Sequence, residues 1–441
     1  MESVAAPPVT REAGSLPFPG KPVGTVNVDM PFDHIVVVMM ENHSFDNLLG
    51  DLGRTRSDVH GLTFEPAGNA KDSNPDGASP PAEVRSFPFP NTAQAKNITQ
   101  SWKATHEQIK GAAMDGFVSS EKGAGEAMGY YTPAVLPFAY SLAGTFTLAN
   151  LWFCSVPGPT YPNRRFLLAG TAFGGTATNG DELLDAFEKP PLNGTIFDRL
   201  SEHGISWANY FTDIPMTAVI PRILPEHPFH HHPHSKFLED CKAGTLPQVS
   251  FVDPATGRFS SLADSLGALP KIVRETLDRL DPGESEEDPD DMYYGERWAH
   301  ETIEAVLRSP AWPRTLLIYV YDEHGGYYDH VAPPPAVAPD DIPPKLGPGE
   351  VGDYRMYGPR VPAVVVSPYS RPGGVSNLVC DHTSVLATIE HKWNLPALTD
   401  RDADAATIMD FLDAGASPRL DPPALTAPSE SGPSGPATAS S

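Results

Sequence analysis

Two unbroken apolar runs, far apart in the chain, constrain this sequence more than anything else in it. His34–Met40 reads HIVVVMM and Thr315–Tyr321 reads TLLIYVY. A strand with one wet face alternates polar and apolar residues. An unbroken run belongs to a strand covered on both faces, as inside a parallel sheet whose crossover helices lie over both sides. Residues 361–367 (VPAVVVS) and 248–252 (QVSFV) predict two further strands. Between the runs, residues 295–309 place Trp298, Ile303, Val306 and Leu307 near one helical face, and residues 382–393 predict another helix. Strands alternating with helices predict an α/β fold, a three-layer sandwich around a mostly parallel sheet.

Residues 31–420 are expected to form one large domain. Residues 1–30 are expected to be a flexible N-terminal segment and 421–441 a disordered tail, both rich in Pro, Ser, Ala and Gly. Residues 52–97, polar and rich in Gly and Pro, and 221–243, rich in His and Pro, read as insertions that wall a site. The formal net charge of −25 argues against a nucleic-acid surface, which needs Lys and Arg. It also limits membrane contact to the transient. Three scattered cysteines, Cys154, Cys241 and Cys380, favour ordinary reduced or buried thiols, with one disulfide as the alternative. No apolar signal core opens the chain, so it reads as cytoplasmic as given, or exported with its signal absent from this sequence. Its oligomeric state is left open.

The chemistry gathers where the two apolar runs end. The first runs into Glu41-Asn42-His43-Ser44-Phe45-Asp46, the second into Asp322-Glu323-His324-Gly325-Gly326-Tyr327-Tyr328-Asp329-His330. Open α/β sheets bind ligands beyond the C-terminal ends of their strands. Parallel strands would bring both clusters to that edge, and such an oxygen-rich set suits a hard divalent cation. Either cluster alone is as well explained by a helix cap or a solvated turn. Two at one edge, the second with a Gly-Gly pair, favour a site.

With these motifs in view, the sequence resembles the phosphoesterase family of bacterial phosphatidylcholine-type phospholipases C, acid phosphatases and plant non-specific phospholipases C. The resembling segments are HIVVVMMENHSFDNLLG from His34, SVPGPTYPNR from Ser155, LPQVSFVDP from Leu246, YDEHGGYYDHVAPP from Tyr321, GPRVPAVVVSPYS from Gly358 and DHTSVLATIEHKWNLPALTDRD from Asp381. The resemblance implies an alkaline phosphatase-like fold and hydrolysis of a phosphoric ester. It implies one divalent metal ion (calcium, magnesium, manganese or zinc) held by Glu41, Asn42, Asp322 and Glu323. It also implies a threonine nucleophile, Thr160, that touches the same ion. A lone threonine between Pro159 and Pro162 would otherwise read as a turn hydroxyl. Arg164 is able to bind a phosphate oxygen or to form a structural ion pair. His106 falls where the family has a phosphate-contacting histidine.

The resemblance carries a departure. Residues 286–292 read EEDPDDM, so an acid stands where many members have a histidine. Histidines 227, 230, 231, 232 and 234 lie near other such positions, in no assignable register. His324 and His330 are expected to support the site from behind, Asp329-His330 by anchoring their loop, and Asp381-His382 to be structural. The expected substrate is a phospholipid or small phosphoester, cleaved as by a phospholipase C. A phosphomonoesterase of acid phosphatase type is the alternative, and a catalytically impaired metal-binding protein the alternative of another class.

Overall fold

A computed structural model describes residues 7–94, 98–255 and 291–429. Its centre is an eight-stranded sheet. In chain order the strands are β1 (His34–Met40), β2 (Thr147–Ala149), β3 (Trp207–Phe211), β4 (His231–Pro233), β5 (Val249–Asp253), β6 (Thr315–Tyr321), β7 (Ala363–Val366) and β8 (Val375–Ser376). Across the sheet their order is β8-β2-β7-β6-β1-β5-β3-β4. β7 runs against both of its neighbours, and every other pairing is parallel.

The two apolar runs lie side by side at the centre. All of β6 and all of β1 beyond His34 is buried, which is why neither shows a polar period. Helices flank the sheet. The ones that matter below are α1 (Phe45–Leu49), α2 (Trp102–Ile109), α3 (Thr160–Ala169), α4 (Met292–Leu307) and α5 (Thr383–Trp393). The expected helices at 295–309 and 382–393 are α4 and α5. In α4, Trp298, Ile303, Val306 and Leu307 are buried as their spacing predicts.

Register then decides where chemistry sits. His34 pairs with Thr315 and Met40 with Tyr321, so the residues that follow, Glu41 and Asp322, emerge next to each other. On the other flank Ile35 pairs with Val249, which brings Asp253 at the end of β5 to the same edge.

The first proposed insertion has its own small core. Leu62 and Ala70 pack with Ile109, Phe117, Met128 and the motif residues Tyr327 and Tyr328. Residues 7–30, expected to be flexible, are tied along the end of α5. Gly14 N donates to Ala397 O, Asn27 N to Lys392 O, and Phe18 N to the Asn394 side chain. The three cysteines are buried and free.

The His-rich segment is built into the sheet margin. The His230 ring stacks on Trp207 at 4.0 Å between centroids, and His227 Nε2 pairs with Asp198 at 3.1 Å. His231 Nε2 meets Thr217 Oγ1 at 3.0 Å, and His234 Nε2 meets Thr302 Oγ1 at 2.9 Å. His232 lies against Tyr210. Each has a structural contact of its own, as expected of histidines at a sheet edge rather than of a cluster converging on a ligand. The departure at 286–292 lies outside the described residues except for Asp291, which caps α4 by accepting from Tyr293 N, and Met292.

Candidate active site

The two long motifs are stitched together at the sheet edge. Asn42 N donates to Asp322 Oδ1 at 3.1 Å, and Glu323 N donates to the same oxygen at 2.7 Å. Glu323 Oε2 accepts from Gly325 N at 2.8 Å. Asn42 has φ +67°, a left-handed conformation that costs a non-glycine residue energy and that asparagine tolerates better than most. The strain turns its side chain into the edge, where Oδ1 is buried without a hydrogen-bond partner. Gly325 is required opposite. A Cβ there would stand 1.9 Å from Asn42 O.

Arg164 reaches into this edge from α3 and is 1% exposed. Its Nε donates to Asp322 Oδ2 at 2.9 Å and its Nη2 to Glu41 Oε1 at 3.2 Å, while Nη1 stands 4.0 Å from Asp253. The expected phosphate ligand therefore spends two donors on the expected metal ligands. Asp253, which the sequence reading passed over, also accepts from Asn209 Nδ2 at 2.6 Å and from Met216 N at 3.0 Å. Burial pushes its carboxyl up, and the Arg164 charge offsets part of that. Its only sequence signal was its place at the end of a strand, like Glu41 and Asp322.

Thr160 opens α3, one helical turn before Arg164 and so on the same side of the helix. The turn before it is held by Asn163, whose Oδ1 accepts from Val156 N and whose Nδ2 donates to Gly158 O. A helix N-terminus carries positive potential, which favours an anion at the Thr160 end. His106 lies on α2. Its Nδ1 meets Trp102 O at 2.7 Å, and its ring leans on Trp102 at 5.0 Å. A Cβ on Gly158 would stand 2.9 Å from the Trp102 ring, so α2 and the Thr160 turn pack directly together. His106 Nε2 is buried without a hydrogen-bond partner beside Gly352. Burial lowers its pKa and favours the neutral ring.

The remaining motif residues form a second cluster. Asp46, Asp329 and His330 place one ligand atom each within 4.8 Å of one another, the one such trio of His, Cys, Asp or Glu among the described residues. Arg360 fills it. Its Nε and Nη2 donate to Asp329 at 2.9 and 3.0 Å, and Nη2 also donates to Asp46 at 3.2 Å. The Asp46 charge holds the His330 imidazole up to about 9, so it is a cation at neutral pH. Two acids thus meet two cations, and the trio is a clasp rather than a cation site. Asp329-His330 anchors its loop as expected. His382, expected to be structural, holds the second motif through a backbone contact, with Nε2 2.6 Å from Asp322 O.

A buried edge of acids and the N-terminus of α3 lie on a mostly parallel α/β sheet, and the comparisons say what class of protein this is. Residues 32–396 match the Phosphoesterase family, and the chain belongs to it. Non-specific phospholipase C1 of Arabidopsis thaliana is 32% identical over 424 residues, covering 89% of this chain and 73% of its own. Phospholipase C A of Mycobacterium tuberculosis is 27% identical over 444 residues, covering 89% and 77%. Among solved structures, a protein in the alkaline phosphatase superfamily from Vibrio parahaemolyticus aligns with 80% of this chain and 76% of its own, at a TM-score of 0.36 and 12% identity. The chain is a hydrolase acting on phosphoric ester bonds.

Proposed function

We propose that this protein is a phospholipase C-like, metal-dependent hydrolase that works through a phosphothreonine at Thr160. The observation that carries the reading is the set of buried oxygen donors at the sheet edge. Glu41, Asp322 and Glu323 are all buried there, and Arg164 pairs with Glu41 and Asp322. Several carboxylate oxygens beside a side-chain amide oxygen are the donor set that a hard divalent cation takes. The unpartnered Oδ1 of Asn42 fits as a neutral oxygen ligand of the same ion. A divalent cation held by Glu41, Asn42, Asp322 and Glu323 would supply Lewis-acid charge and lower the pKa of the neighbouring hydroxyl.

The chain's own residues do the rest. The Thr160 oxygen attacks phosphorus in line, a P–O bond to Thr160 forms, and the ester P–O bond to the alcohol breaks. The alcohol leaves with a proton. Water then cleaves the phosphothreonine, releases the phosphate product and restores the hydroxyl. The N-terminus of α3 faces the charge that builds on the phosphoryl oxygens, and His106, whose Nδ1 is held by Trp102 O, donates to them from Nε2 once its ring takes up a second proton. Arg164 keeps Asp322 and Glu41 in place, with Nη1 left toward Asp253.

The phospholipid substrate rests on relatives named phospholipases C that span most of this chain. Thr160→Ala should reduce turnover of phosphatidylcholine micelles by ~10⁴-fold or more, the scale of removing a nucleophile, while the folded circular-dichroism spectrum stays the same. Wild-type turnover in the folded variant would overturn the nucleophile assignment. Hydrolysis of p-nitrophenyl phosphate without any release from phosphatidylcholine would move the protein to the phosphomonoesterases.

A further inference from the structure

The site at the sheet edge is shut. Thr160 is 8% exposed, and Glu41, Asn42, Asp322 and Glu323 are buried more deeply still. His106 is closed as well. Its Nε2, assigned to donate to the phosphoryl group, is buried without a hydrogen-bond partner beside Gly352. A Cβ on Gly352 would stand 2.2 Å from that nitrogen, so no phosphoryl oxygen fits between them. Trp102 O holds Nδ1 at 2.7 Å, which keeps the ring from swinging out to meet a substrate. A phosphoester therefore reaches Nε2 once the Gly352 backbone lifts.

That backbone belongs to a span fixed at its ends and lightly tied between them. Lys345 N donates to Gly174 O at 2.8 Å, and Tyr354 Oη donates to Gly175 O at 2.8 Å, so both ends rest on the loop after α3. Between these anchors the turn closes on itself. Gly347 N donates to Glu350 Oε2 at 2.6 Å, and Glu350 N donates to Gly347 O at 3.1 Å. Trp102 Nε1 joins the turn to α2 by donating to Val351 O at 2.8 Å. Gly349 and Gly352 have φ +81° and +98°, conformations that leave the span free to hinge where other residues would be strained. A short segment of this kind over a buried site is how enzymes build lids.

The outer face of the span indicates what lifts it. Val351 is 61% exposed and Leu346 is 42% exposed. Single exposed apolar residues are ordinary on a surface. These two share one turn, and the inner side of that turn covers His106. Lys345 is the one cation of residues 345–354, and its charge is committed to Asp185. Glu350 and Asp353 add negative charge, so the face has nothing to offer an anionic lipid surface.

We propose that residues 346–352 are a lid over the active site, and that Leu346 and Val351 seat on a zwitterionic phospholipid surface and so draw the lid off His106. This rests on the phospholipase reading above and adds to it the surface that admits the substrate. The two side chains leave water for the boundary between headgroups and acyl chains. The open state is favoured there because only that state makes the contact.

The test follows hydrolysis of a short-chain phosphatidylcholine by the full-length chain, below and above the concentration at which the lipid forms micelles. The wild-type rate should rise by ~10-fold or more at that threshold, the scale of burying two such side chains. Leu346→Ser combined with Val351→Ser should lose the rise and keep the wild-type rate on monomeric lipid. Gly352→Ala, strained at this φ and with its Cβ against Nε2, should prop the lid open and raise the monomer rate toward the micelle rate. No rise in wild type, an undiminished rise in the double variant, or a Gly352→Ala monomer rate no higher than wild type would each overturn the lid and leave the phospholipase reading intact. A double variant that also loses the monomer rate overturns it too, because the two side chains then serve the structure of the site. Stronger activation on micelles doped with an anionic phospholipid overturns the choice of a zwitterionic surface. Hydrolysis of p-nitrophenyl phosphate with no release from phosphatidylcholine, monomeric or micellar, overturns both readings.

Discussion

The two long motifs build two acidic places a few residues apart, and their charge closes differently. Asp46 and Asp329 meet Arg360 and a protonated His330, two charges against two. Glu41 and Asp322 share Arg164, and Glu323 lies beside His324. The trio in the clasp is the tighter cluster of ligand atoms, and Arg360 bonds two of its members. The looser set at the strand ends includes Asn42 Oδ1, buried without a hydrogen-bond partner. Proximity of acids alone does not separate the two places; the groups already bonded to them do.

The comparison breaks most sharply at Arg360. Arg360→Met should cost about 3–5 kcal/mol of folding stability, because it leaves two buried carboxylates with one partner. Urea unfolding measures this, and a loss under ~1 kcal/mol would mean the clasp does not hold the motifs together. The same operation on the other cluster should cost less. With chelator present, Asp322→Asn should lower the unfolding midpoint by a smaller amount, since Arg164 loses one carboxylate but keeps Glu41. With a divalent cation added, wild type should gain stability in proportion to the logarithm of its concentration and the variant far less. Equal gains in both would remove Asp322 from the cation's ligands.

A smaller effect follows from pH. The folded pKa of His330, at about 9, lies above its unpaired value of 6.5. The His330–Asp46 pair is therefore fully stabilising below about pH 6.5, and its contribution is lost as pH rises through about 9. His330→Gln should flatten the fall in wild-type stability between those limits. Matching pH profiles for the two proteins would show that the clasp does not depend on that proton.

Parts of this were legible from residue order. The runs at His34–Met40 and Thr315–Tyr321 had to be doubly covered neighbours in a sheet, because nothing else buries seven consecutive apolar residues in both segments. Once they are parallel, Glu41 and Asp322 must emerge at one edge. Asp253 was not legible, since an acid ending a strand is common and its significance depends on Arg164 arriving from α3. Gly352 was invisible for the same reason. It closes on His106 from far along the chain, and no local pattern encodes which backbone covers which ring. Residues 7–30 look unstructured by composition, yet backbone partners at the end of α5 and just beyond it tie them down.

The sequence by itself determined the class of chemistry and the strand ends that carry it, because periodicity and short motifs are local properties of a chain. Only the tertiary structure decided which acids are neutralised. A buried carboxylate is structural or functional according to the cations that long-range packing brings within about 4 Å of it. For Asp46 and Asp329 packing brought both Arg360 and His330, and for Glu41 and Asp322 it brought Arg164.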